Sequence, residues 1–159
     1  MPTVFFGLGS NIGDKEDNIN QALTFISEIY AVKKISHLYL TEPVGHIKQD
    51  WFLNCVIEIH TDVDPKKLLF TIKSIERKLG RTKTVKNGPR TIDIDILFYG
   101  DHVLKTKSLI LPHPSIQERL FVLQPMMDIN PDLIHPVLKR SIQDLYHDRL
   151  WAEKVTLYK

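Results

Sequence analysis

With 159 residues, the chain has room for one domain with a real core and is too short for two ordinary ones. Hydrophobic residues at 43% and charged residues at 25% fit a soluble globular protein, and a net charge of +2 argues against a general nucleic-acid or membrane binder. A single cysteine, Cys55, excludes a disulfide framework and a thiolate metal cluster.

Thr3 to Leu8 read as a short buried strand, followed by a glycine-rich link from Gly7 to Gly13. The spacing G-x-G-x-x-x-G is not that of the dinucleotide fingerprint, so a tight turn is the expected role, ahead of phosphate binding. Asp14 is placed to cap a helix whose Ile19, Leu23, Ile26 and Tyr30 recur near helical spacing. A second strand is expected within Val32 to Leu40. Pro43, Gly45 and their polar neighbours then mark a loop over 41–51. Leu53, Cys55, Ile57 and Ile59 alternate with Asn54, Val56, Glu58 and His60, the pattern of a half-buried strand, in which Cys55 is a small buried residue.

Asp64-Pro65 opens the next helix, Leu68, Leu69, Ile72, Ile75 and Leu79 form its apolar stripe, and Gly80 stops it. Between Arg77 and Arg90 lie Arg77, Lys78, Arg81, Lys83, Lys86 and Arg90 with no acidic residue, a local patch suited to a small polyanion. The segment G-P-R-T-I-D-I-D-I-L-F-Y-G follows. Its strand places Asp93 and Asp95 on one face, roughly 7 Å apart, with Ile92, Ile94 and Ile96 on the other. Two carboxylates side by side make sense around a hard cation, and Mg²⁺ is the candidate because it takes oxygen ligands and leaves room for substrate phosphates. A solvated strand face is the plainer alternative.

The element order predicts an α+β fold: a ferredoxin-like βαββαβ core, an antiparallel sheet with helices on one face, and a C-terminal extension. No linker divides the chain, so residues 1–159 are expected to form a single domain. It lacks an N-terminal leader pattern and a long apolar run, so a cytoplasmic protein is expected, with no nucleic-acid or membrane partner and no feature demanding a second copy.

Three segments together carry a resemblance: T-E-P-V-G…F-L-N, K-N-G-P-R-T-I-D-I-D-I-L, and L-P-H-P…E-R-L-F-V-L. In this order and spacing they resemble the 6-hydroxymethyl-7,8-dihydropterin pyrophosphokinases of folate synthesis, from the G-L-G-S-N-I-G-D opening to F-V-L-Q-P. The resemblance implies transfer of pyrophosphate from ATP to the pterin's hydroxymethyl group, leaving AMP. It implies that Asp93 and Asp95 hold two Mg²⁺ ions and act in catalysis with Arg81 and Arg90. ATP would be bound by Glu76, Arg81, Lys83, Arg90, Ile96, His113 and Arg119. The pterin would be bound by Pro43, Val44, Gly45, Phe52, Asn54 and Phe121. Asn87 stands where many relatives carry tryptophan. Without the family, Phe52 and Phe121 read as core packing, His113 as a loop residue and Glu76 as an ion-pair partner. Both loops, 41–51 and 80–88, are expected to order over bound substrates. Another two-metal transferase and a non-catalytic small-molecule binding module are the alternatives; a dinucleotide oxidoreductase is more distant.

Overall fold

The computed structural model describes residues 1–43, 49–80 and 91–159. Strand β1 (Thr3–Ser10) leads to helix α1 (Lys15–Ile29), whose first turn is held by Asp14 accepting from the Asp17 backbone N–H. Strands β2 (Ala31–Ile35) and β3 (Tyr39–Thr41) occupy the region expected to hold one strand. The break between them is pinned at Ser36: its N–H donates to the Val56 carbonyl, and its hydroxyl accepts from the Val56 N–H. Strand β4 (Phe52–His60) precedes helix α2 (Pro65–Lys78), with Asp64 as its cap and Gly80 at a positive φ of 85° just beyond it. Strand β5 (Asp93–Tyr99) carries the paired aspartates. A two-residue pair, β6 (Leu104–Lys105) and β7 (Ile110–Leu111), then leads to helices α3 (Leu120–Ile129) and α4 (Ile142–His147) and to strand β8 (Val155–Leu157).

The main sheet runs β5-β1-β4-β3-β8, with β2 also paired to β4, and its pairings are antiparallel. The architecture is therefore mixed helix and antiparallel sheet. On one face, α1 and α2 pack Ile19, Ile26, Leu68, Ile72 and Ile75 against Val4, Phe6, Leu8, Ile57 and Ile94. Each such fully buried side chain contributes about 1.5–3 kcal/mol.

The other face is covered too. Phe5, Val56, Leu97 and Phe98 pack beneath Val122, Leu123 and Met126 of α3 and Ile142 and Leu145 of α4. Strand β4 is consequently buried on both faces over Leu53–Ile59, where alternation predicted a half-buried strand. The helices are likewise on both faces of the sheet. The misleading residues are Asn54 and Glu58, polar positions that face covered ground. A register shift in β5 lets Leu97 and Phe98 both reach the α3 side while Ile96 and Tyr99 stay with the first core. Among the described residues, no helix is long and apolar enough to cross a membrane.

Candidate active site

Strand register builds the floor of the site. Asp93 and Asp95 on β5 stand opposite Gly9 and Gly7 on β1, and these stand opposite Asn54 and Val56 on β4. Paired residues share a face, so the two glycines separate the carboxylates from Asn54 with bare backbone. The result is a cavity of about 270 Å³ floored by Gly7 and Gly9. Around it stand Asp93 and Asp95 from the edge strand, Phe52 and Asn54 from β4, and His113, Arg119 and Phe121 from the connection into α3. Strand β1 therefore continues through the glycines to Ser10, where a turn was predicted from Gly7 onward. Glycine is needed at position 9 because a Cβ there would lie 2.5 Å from Asn54 Oδ1. The Asn54 amide is aimed by its own bond: Nδ2 donates to Thr41 Oγ1 at 2.6 Å, which leaves Oδ1 turned over the floor.

Among the described residues β5 has β1 as its one sheet neighbour, and α2 reaches its other edge at the aspartates. The Ile94 N–H donates to Glu76 Oε2 at 2.7 Å, and the Ile94 carbonyl accepts from Lys73 Nζ at 3.4 Å. Lys73 Nζ also lies 3.2 Å from Glu76 Oε1. Glu76, 2% exposed, thus fixes the peptide between Asp93 and Asp95, so its place is structural and at the site together. Burial, with the Asp93 charge next, pushes Asp95 up to about 6, against the opposing pull of Lys73 and Arg119.

His113 is anchored by its N–H to the Leu97 carbonyl at 2.9 Å, and its Nδ1 accepts from the Ser115 N–H at 3.1 Å. The proton then sits on Nε2. Burial and the Arg119 guanidinium hold His113 down at about 4, opposed by Asp93, so the ring is neutral at physiological pH. Arg119 lies over the Phe121 ring at 5.4 Å from its centroid. Cys55 lies under the floor, and burial pushes its thiol up to about 12, so it is an inert packing residue. A second cavity of about 250 Å³ adjoins the first, walled by Leu69, Ile94, Ile96, Leu109 and Ile110.

Residues 5–131 match the family described as 7,8-dihydro-6-hydroxymethylpterin-pyrophosphokinase. The chain belongs to this family. It is 41% identical over 144 residues to the 2-amino-4-hydroxy-6-hydroxymethyldihydropteridine pyrophosphokinase of Aquifex aeolicus, covering 91% of this chain and 90% of that one. The enzyme of the same name from Bacillus subtilis is 46% identical over 127 residues, 79% of this chain and 76% of its own. The pyrophosphokinase fold is also shared with Plasmodium falciparum wild-type HPPK-DHPS, at a TM-score of 0.72 and 18% identity. That match covers 92% of this chain but 44% of the Plasmodium chain, so the chain spans less than half of that larger protein.

Of the pyrophosphokinase residues expected from sequence, Asp93, Asp95, Phe52, Asn54, His113, Arg119 and Phe121 line one cavity, and Ile96 lines the second. Glu76 acts from behind β5 without lining either. Pro43 is half-buried and lines neither cavity, although its neighbours Thr41 and Glu42 line the first. Val44, Gly45, Arg81, Lys83 and Arg90 lie outside the described residues, as does most of the two loops expected to order over substrates. Sequence reasoning missed Thr41, Gly9 and Lys73. Lys73 had a signal, the i, i+3 spacing to Glu76 on one helix.

Gly9→Ala is expected to destabilise the protein by about 1–3 kcal/mol, because Asn54 must yield to the new methyl. Urea unfolding checks this; an unchanged midpoint would mean that Asn54 turns aside freely.

Proposed function

We propose that the chain transfers the β,γ-pyrophosphoryl group of ATP to the hydroxymethyl oxygen of 6-hydroxymethyl-7,8-dihydropterin, in folate biosynthesis, leaving AMP. One observation carries the reading: across a glycine floor, a carboxylate pair faces an amide in a cavity that Phe52 and Phe121 also line, in a member of the pyrophosphokinase family.

Phe52 and Phe121 offer flat apolar faces to a heteroaromatic ring, and Asn54 Oδ1 is oriented to accept from the amino edge of a pterin. The second cavity, where Leu69, Ile94, Ile96, Leu109 and Ile110 stand beside the polar Lys107 and Ser108, suits the adenine of ATP. His113 donates from Nε2, and Arg119 offers a guanidinium fork to phosphate oxygens. Arg81, Lys83 and Arg90 add further cations in this reading, and Pro43, Val44 and Gly45 border the pterin. Glu76 holds the backbone that aims both aspartates.

The donor set fits Mg²⁺. Asp93 and Asp95 supply the hard oxygens that Mg²⁺ takes, in a cavity with room for substrate phosphates. These two carboxylates would hold two Mg²⁺ ions, which when bound supply charge neutralisation along the phosphates and fixed orientation for in-line transfer.

The fold reading completes the proposal: a ferredoxin-like core with a C-terminal extension, supported by the order β5-β1-β4-β3, in one domain spanning 1–159. In this reading the protein is a cytoplasmic monomer that acts on small molecules. Purified protein with ATP and Mg²⁺ is expected to release AMP when hydroxymethyldihydropterin is added and none without it. ADP as the nucleotide product would reassign the reaction.

A further inference from the structure

Among the described residues, Lys73, Asp95 and His113 line both cavities. A nucleotide whose base fills the second cavity and whose terminal phosphates reach the pterin must pass this junction. Lys73 stands there, its side chain 36% exposed, on the α2 face of the gap. Its contacts to Glu76 Oε1, Glu76 Oε2 and the Ile94 carbonyl are 3.2, 3.4 and 3.4 Å. Charge-assisted bonds at their best are shorter, about 2.7–2.9 Å, so the ammonium is held loosely by these partners. The plainer reading makes Lys73 a counter-ion to Glu76. A counter-ion alone would have no reason to lie open to both cavities, and Glu76 already takes the Ile94 N–H at 2.7 Å.

We propose that Lys73 is a substrate-positioning cation that grips the phosphate chain of the nucleotide where it crosses from one cavity to the other. This rests on the pyrophosphokinase reading of the cleft. Arg119 lines the first cavity, so phosphates that cross the junction past the ammonium meet a guanidinium beyond it. Lysine suits the α2 side because its point charge and flexible stem can follow a phosphate that changes place during transfer.

The test is calorimetric titration of ATP, AMP and 6-hydroxymethylpterin into wild type, Lys73→Met and Lys73→Arg at saturating Mg²⁺. Lys73→Met is expected to weaken ATP by about 10- to 100-fold, the loss of one charge-assisted contact. AMP is expected to weaken far less, pterin binding to hold, and Lys73→Arg to recover most of the ATP affinity. Should Lys73→Met lack a cooperative melting transition, Lys73→Gln keeps an N–H for Glu76 without the charge and is expected to show the same loss. Equal losses for AMP and ATP, or no loss, would overturn the proposal. Wild type that releases AMP while the variants bind ATP normally would sink the Lys73 assignment alone. Wild type that binds no ATP would sink the underlying reading with it.

Discussion

Asp95→Asn is expected to lower turnover by on the order of 10³-fold or more, while the ligand-free protein becomes more stable at neutral pH. Both effects come from one placement. Asp95 is crowded by burial and by Asp93 on the same face of β5, which lifts its carboxyl from 3.8 to about 6. The folded state therefore binds a proton more tightly than the unfolded state does. This contribution to stability is fully present below 3.8 and is lost as pH rises through about 6. At neutral pH the empty site thus carries a destabilising charge, which the asparagine variant lacks. Its melting temperature should exceed that of wild type above about pH 6 and converge with it towards pH 4. Melting curves across this range, paired with turnover assays, check both arms. A variant that kept more than a tenth of the activity would remove Asp95 from the metal site. A melting difference independent of pH would mean that the carboxyl is not strained by its surroundings.

The second large effect is expected at Arg119. Its guanidinium lines the cavity and lies over the Phe121 ring, so in the proposed reading one side chain would serve both the phosphate path and one wall of the pterin site. Arg119→Ala should lower kcat/KM by about 10²–10³-fold, the scale of one lost transition-state charge contact. Pterin affinity should fall as well, because Phe121 loses the cation against its face. Arg119→Lys should restore only part of the rate, since an ammonium cannot present the planar fork. Steady-state kinetics on both substrates separate these contributions. An alanine variant whose only change is a higher pterin KM would confine Arg119 to supporting Phe121.

Much of the chemistry was legible in local pattern. The alternation Ile92-Asp93-Ile94-Asp95-Ile96 placed both carboxylates on one face, and β5 carries them into the cavity. Asp64-Pro65 and Gly80 marked the ends of α2, and Asp14 the start of α1. What local pattern missed depends on neighbours distant in sequence. Gly7 and Gly9 read as a turn because glycine usually frees the backbone. Here they stay extended in β1, and their missing side chains make the floor between Asp93 and Asn54. The polar residues of β4 read as solvent-facing, since nothing local announces that α3 and α4 return to cover that face. Thr41 escaped notice because its role is to aim Asn54, a partner it meets only when β3 pairs with β4. Lys73 escaped because a basic residue on an amphipathic helix reads as solvated surface, and only the edge position of β5 turns it into the cleft.

The most direct measurement follows the transferred group itself. Protein is incubated with Mg²⁺, hydroxymethyldihydropterin and ATP labelled at the β-phosphorus, and the products are separated. The label is expected in the pterin product, in amounts equal to the AMP released. Label recovered in ADP or in free pyrophosphate, with the pterin unlabelled, would contradict pyrophosphoryl transfer.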